Sequence, residues 1–205
     1  MKFVVAGSAS SYEELKGENE NIEWVKVSNV EEFSIHKDAD AFFNLDENAA
    51  KAIHPQGLSY IFINSVVTTL KEITQSKNMI RINGWKGFLT RSTWEIVADR
   101  NTSIEKILAV LGKKPIYVGD EPGLISARII SMIINEAYYA IGDHVSTEEQ
   151  IDIAMKLGTN YPKGPFEWAN EIGCNNVFSL LDKLKEGDTR YLPAPLLQIK
   201  SLATL

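Results

Sequence analysis

The stretch "GDEPGLISARIISMIINEA", Gly119 to Ala137, joins a Pro-Gly turn to a long apolar segment and marks a change of period in the chain. From Leu124 to Ile141 the residues are apolar nearly all round, with Arg128, Ser131 and Asn135 as a polar stripe at i, i+3 and i+7. That pattern predicts a helix buried among other helices. Upstream the signal is different. The runs "KFVVAG" (2–7), "IEWVKVS" (22–28), "DAFFNL" (40–45), "LSYIFIN" (58–64), "MIRING" (79–84) and "STWEIVA" (92–98) are short and rich in Val, Ile, Phe and Trp. They predict strands of a largely buried sheet.

The connectors "SYEELKG" (11–17) and "TTLKEITQS" (68–76) read as weakly helical, so strand-helix-strand units and a mainly parallel sheet follow. Thr102 or Ser103 is the expected cap of "IEKILAVLG", and "KPIYVGD" is one further strand, Lys114 to Asp120. Downstream, Ser146 and Glu149 form the expected capping box of "TEEQIDIAMKL", and Gly158 its stop. Further helices are expected over "PFEWANEI" ending at Gly173, "NVFSLLDKL" and "PAPLLQIKSLATL". The organisation expected is therefore a sheet-rich domain over 1–119 and an all-helical domain over 120–205.

Composition narrows the classes of function. With 44% hydrophobic and 23% charged residues in a chain of 205, a real core can be buried. A net charge of -6 argues against surfaces that neutralise phosphates, so no nucleic-acid or membrane partner is expected. The single cysteine, Cys174, excludes an internal disulfide and a cysteine-based zinc site, and no metal is expected. "FVVAGSA" is too short for a secretion signal, and no run approaches the ~20 apolar residues of a membrane span. A cytoplasmic protein is the expectation.

Several motifs in the second half occur in a particular order: "GKKP" (112–115), "DEPGLISAR" (120–128), "NEA" (135–137), "IDIAM" (151–155) and "PKGPFEW" (162–168). Their order resembles the C-terminal domain of the 3-hydroxyacyl-CoA dehydrogenases, and spaced motifs in sequence are more specific than any one alone. The resemblance implies a Rossmann-like N-terminal α/β domain, NAD as cofactor, an acyl-CoA substrate, and a homodimer formed through the helical domain.

The first domain departs from the family pattern. A dinucleotide fold needs Gly-x-Gly-x-x-Gly so that bare backbone approaches the pyrophosphate. Here "GSASSY" offers Gly7, Ser8 and Ala9 as the cofactor loop, with Ala9 and Tyr12 in place of the second and third glycines. The second strand ends on Ser28 and Asn29 instead of an acid, and Glu31 or Glu32 reaches that place only in a shifted register. The family's long helical hairpin after this strand is reduced to about ten residues, so the domain is shortened.

The family's reaction uses a histidine that takes the hydroxyl proton and a glutamate that orients it. The resemblance places the glutamate at Glu95 and the histidine's position at Asn83. Its serine falls on Val66, after Asn64 and Ser65, and its helix asparagine falls on Ala127. Asn64, Ser65 and Ala127 are thus the substrate positions. Read without the resemblance, Glu95 is equally a strand-edge carboxylate and Asn83-Gly84 a turn. His36, His54 and His144 read as ordinary surface or loop histidines, Trp85 and Trp94 as core, and Lys163 as solvent-exposed rather than a ligand of a CoA phosphate. Three functions follow: a catalytically impaired family member, an active NAD-dependent 3-hydroxyacyl-CoA dehydrogenase with Glu95 as base, or a non-catalytic dimeric binding or scaffold protein.

Overall fold

The computed structural model describes residues 1–73 and 78–203, and divides into two compact units, Met1–Leu124 and Ile125–Leu205. The first is a seven-stranded sheet in the order β2-β1-β3-β4-β5-β6-β7. Its strands are β1 (Lys2–Ala6), β2 (Glu23–Val27), β3 (Ala41–Asn44), β4 (Tyr60–Asn64), β5 (Met79–Ile82), β6 (Thr93–Val97) and β7 (Lys114–Tyr117). Neighbours run parallel except β5 and β6, which pair antiparallel through Arg81 with Val97 and Ile82 with Ile96.

Both faces of the central strands are buried, which is why β3 and β5 carry no alternation of apolar and exposed residues, Asn44 and Arg81 being buried with the rest. Phe3, Val5, Phe43 and Phe62 build one layer with Leu15 of α1 (Ala9–Lys16) and Ile104, Ile107 and Leu108 of α2 (Thr102–Val110). Val4, Phe42, Ile61 and Ile63 build the other, covered by short 3-10 turns carrying Val30, Phe33 and Ala49. The shortened connectors are therefore confined to one side of the sheet. This is a mainly parallel, Rossmann-like sheet.

Several local expectations are corrected. Asn101, not Thr102 or Ser103, caps α2, its Oδ1 accepting from Ser103 N at 2.8 Å. Strand β7 stops at Tyr117, and Asp120 is drawn away by hydrogen bonds described below. The expected connector 68–76 runs as turns through Ile73, and its remaining residues lie outside the described residues.

The second unit holds α3 (Ser126–Gly142), α4 (Glu148–Thr159), α5 (Pro165–Ile172), α6 (Cys174–Leu184) and α7 (Pro195–Leu202). The last two residues of the expected C-terminal helix lie outside the described residues. Thr147, not Ser146, caps α4 by accepting from Gln150 N, while Ser146 Oγ donates to Gln150 Oε1. Gly158 lies within the helix, and Asn160 ends it in the left-handed region at φ 56°. α3 packs against α5, α6 and α7, but Ile125 and Ile129 are 47% and 55% exposed. One face of α3 thus stays open, against the expectation of burial all round.

Within this unit the motifs "IDIAM" and "PKGPF" are two halves of one device. The buried Asp152 carboxylate accepts from Phe166 N at 2.8 Å and Glu167 N at 3.2 Å, capping α5 from another helix. Gly164 lies so close that a Cβ there would stand 2.2 Å from Asp152 Cγ. Asn135 is a second clamp, donating to Leu192 O at 2.9 Å and accepting from Ala194 N at 2.8 Å. Among the described residues no helix is long and apolar enough to cross a membrane.

Candidate active site

The parallel strands deliver their C-terminal ends to one edge of the sheet, where ligands of such folds bind. Asn44, Asn64 and Asn83 follow or close β3, β4 and β5 at this edge, and each is buried. Asn64 Oδ1 accepts from Gly84 N at 3.0 Å. A Cβ on residue 84 would lie 2.7 Å from Asn64 Cγ, so only glycine fits there.

Asn83 Oδ1 accepts from Trp85 N at 3.1 Å, an Asx turn that fixes the side chain to its own loop. Its amide nitrogen is buried with no hydrogen-bond partner. Carried one rung further, the antiparallel register that pairs Ile82 with Ile96 sets Asn83 opposite Glu95. Glu95 is half-buried in β6. An amide at residue 83 donates and accepts hydrogen bonds but takes no proton near neutrality.

The other substrate positions are committed elsewhere. Ser65 Oγ donates to Thr68 O at 2.6 Å, and Val66 is 3% exposed. Val66 contributes backbone instead, its carbonyl accepting from Gly123 N at 2.7 Å and Arg81 Nη2 at 2.9 Å. In the helical unit Ala127 is fully buried on α3.

Arg81 is the residue that strand reading overlooked. It is 0% exposed, and its guanidinium donates to Ser65 O, to Asp120 Oδ1 at 2.8 Å and to Glu121 O at 2.9 Å, besides Val66 O. Asp120 also accepts from Leu70 N and Lys71 N, each at 2.9 Å. Burial alone would raise the Asp120 carboxyl, but the two amides and the Arg81 guanidinium outweigh it and hold the group below the ordinary carboxylate range. Burial pulls the Arg81 guanidinium down against the opposing pull of Asp120. The signal was present in "MIRING": a charged residue inside an apolar strand requires a partner.

His54 is a loop histidine as expected, but it is not at the surface. It is 3% exposed, its Nε2 3.1 Å from Asn44 Nδ2 and its ring stacked on Phe33 at 6.5 Å. His144 is exposed and His36 half-buried. Lys163 is paired with Glu171, so its ammonium is occupied within the helical unit. Trp85 and Trp94 are core residues, 6% and 5% exposed.

The fit of a dinucleotide is decided at the first turn. Gly7 has φ 154°, and a Cβ on it would meet Ser11 Oγ at 2.9 Å and Leu45 Cβ at 3.0 Å. Ser8 caps α1 with its own side chain, Oγ accepting from Ser11 N at 3.1 Å and lying 3.0 Å from Ser11 Oγ. Tyr12 turns toward β2, edge-on to Trp24 at 6.2 Å and beneath Lys26 at 5.6 Å. At the end of β2, Asn29 caps a 3-10 turn, and Glu32 folds back so that Oε1 accepts from Ser28 N at 3.3 Å. One glycine, a self-capped helix and an acid held by backbone do not reproduce the family's cradle for NAD.

Comparison with known proteins agrees with the fold and the motifs. The family model described as 3-hydroxyacyl-CoA dehydrogenase, C-terminal domain, matches residues 123–203. The 3-hydroxybutyryl-CoA dehydrogenase of Clostridioides difficile is 30% identical over 199 residues, covering 93% of this chain and 68% of that protein. The chain belongs to the 3-hydroxyacyl-CoA dehydrogenase family. Another member, the 3-hydroxyadipyl-CoA dehydrogenase of Escherichia coli, is 41% identical over 93 residues, and the match spans 44% of this chain but only 20% of that protein. The fold is shared with the crystal structure of (S)-3-hydroxybutyryl-CoA dehydrogenase from Ralstonia eutropha, with a TM-score of 0.70 and 19% identity over 99% of this chain and 94% of that one. Family membership thus extends beyond the helical motifs to the sheet.

Proposed function

We propose that this chain is a family member that keeps the two-unit scaffold and has lost the proton-transferring chemistry. The observation that carries it is Asn83, at the position the resemblance gives to the histidine, buried and tied by Oδ1 to Trp85 N at 3.1 Å. No base stands in that place. Val66 and Ala127 add apolar groups where the family's serine and asparagine would touch substrate. The NAD loop is weakened in the same direction, so cofactor affinity falls with catalysis. What persists is a fold suited to binding an acyl-CoA or to self-association as a homodimer.

The test is reduction of acetoacetyl-CoA by NADH, followed by loss of nicotinamide absorbance. Turnover above a no-enzyme blank would overturn the proposal. A second reading, an active dehydrogenase with Glu95 as base, is favoured by the register that sets Glu95 opposite Asn83. A carboxylate at that place would take the hydroxyl proton that the family's histidine takes. It requires turnover that Glu95→Gln abolishes. Thermal stability with NAD, NADH and acyl-CoAs separates binding from chemistry, since a ligand at 100 times its Kd adds about 2.7 kcal/mol.

A further inference from the structure

The amide of Asn83 is half used. Its Oδ1 is held by Trp85 N at 3.1 Å, which fixes which end of the amide is oxygen and leaves Nδ2 as the other end. That nitrogen is buried and has no hydrogen-bond partner. The Asx turn does not account for it, because the turn uses only the oxygen, and Asp or Ser would supply one without burying an unanswered amide nitrogen. A buried donor left unmet costs stability, so it points to a group that arrives with a ligand. The loop around it is stiff: Asn64 Oδ1 holds Gly84 N at 3.0 Å, and a Cβ on residue 84 would stand 2.7 Å from Asn64 Cγ. Across β5 and β6, the register that pairs Ile82 with Ile96 sets Asn83 opposite Glu95 on one face of the sheet, where opposed Cβ atoms lie about 5 Å apart. Nδ2 makes no bond to that carboxylate. A carboxylate has about four lone-pair sites, so it accepts from a ligand beside any bond it already makes. The pair therefore offers one donor and one acceptor. A hydroxyl oxygen answers both, accepting from the amide and donating to the carboxylate. A ketone oxygen accepts from the amide but turns its second lone pair on the carboxylate. A histidine in place of Asn83 would serve either form by taking up or giving back a proton, and an amide takes none.

We infer that Asn83 and Glu95 form a donor–acceptor clasp for a ligand alcohol, so that the chain holds a 3-hydroxyacyl thioester in preference to the 3-oxoacyl thioester. The inference rests on the acyl-CoA binding proposed above and adds which redox form is held. It is tested by calorimetric titration of the full chain, without nicotinamide, against 3-hydroxybutyryl-CoA and acetoacetyl-CoA. The hydroxyl ester should bind at least about tenfold more tightly, since polar groups arranged around a hydroxyl are left unmatched by the analogue without it. Glu95→Gln should invert the preference, because both side chains then donate to a ketone oxygen. Asn83→Asp keeps an oxygen for Trp85 N but loses the donor that both esters use, so both should weaken by about tenfold. Circular dichroism checks the fold of each variant, and the isosteric Glu95→Gln decides the matter by itself where Asn83→Asp does not fold. Equal affinities in the wild-type chain, a preference for the ketone, or a preference that Glu95→Gln leaves unchanged overturns the clasp. Binding of neither ester overturns it together with acyl-CoA binding, whereas NADH-dependent turnover of acetoacetyl-CoA overturns only the loss of chemistry.

Discussion

Arg81 shows how one residue organises the loops of the sheet unit. Its guanidinium is 0% exposed, yet it is held by four acceptors from the segments that follow β4 and β7. Replacing Asp120 with Asn leaves a buried cation without its counter-charge, and removing one partner of such a pair costs about 3–5 kcal/mol. Urea unfolding of Asp120→Asn should show a loss of that size with an unchanged slope. The pH dependence has a definite sign. Because the Asp120 carboxyl is held below its ordinary range in the folded chain, its contribution is present above the ordinary carboxylate pKa and is lost as pH falls through the lowered, folded-state value. The wild-type chain should therefore lose stability on the acid side below about pH 4, and Asp120→Asn should flatten that limb. A second residue-scale effect lies at Gly164. Gly164→Ala should destabilise by about 1–3 kcal/mol through overpacking, and in the Asp152→Ala background the added cost should shrink because the clashing atoms are gone. A double-mutant cycle read by thermal unfolding checks this, and additive losses would contradict it.

At the scale of elements, Asn135 adds a polar clamp to the apolar face by which α3 packs on its neighbours. Asn135→Ala removes two hydrogen bonds to the segment before α7 and should cost about 1–3 kcal/mol, with hydrogen exchange accelerating first in Pro195–Leu202. All seven strands and the five helices of the second unit were legible, the central strands and the helices because they bury apolar surface and the edge strands β2 and β7 from their short β-branched and aromatic runs. Caps were legible only in kind. Thr147 outcompetes Ser146 and Asn101 outcompetes Thr102 because adjacent polar residues all have capping oxygens, and φ/ψ decides which one faces the amides. Strand order was not legible, since nothing local to β5 and β6 reveals that they alone pair antiparallel. His54 escaped for a similar reason: its burial depends on Asn44 and Phe33, which arrive through tertiary packing. The open face of α3 looked buried because apolar residues all round a helix do not say which of them a neighbour covers.

For the whole molecule, the scaffold is the family's, and the proposed loss of its chemistry turns on three positions. The resemblance of the site positions rested on alignment of Asn83, Val66 and Ala127, and their surroundings give each a part in the fold. One is tied into a turn, one gives its carbonyl to Arg81, and one is packed on α3. Asn83→His alone should not restore acetoacetyl-CoA reduction, because the other two positions remain apolar and the NAD loop is unchanged. Measurable turnover in that variant would show that one side chain was the whole deficit.

The lock between Asp152 and Gly164 has a consequence for how such proteins are recognised. Two of the motifs that carry the resemblance are the donor and the acceptor halves of a helix cap, a device of folding. The cap serves folding, so selection on it persists for as long as the helical unit must fold, whatever becomes of the active site. In this chain the legible part of its ancestry is its carpentry.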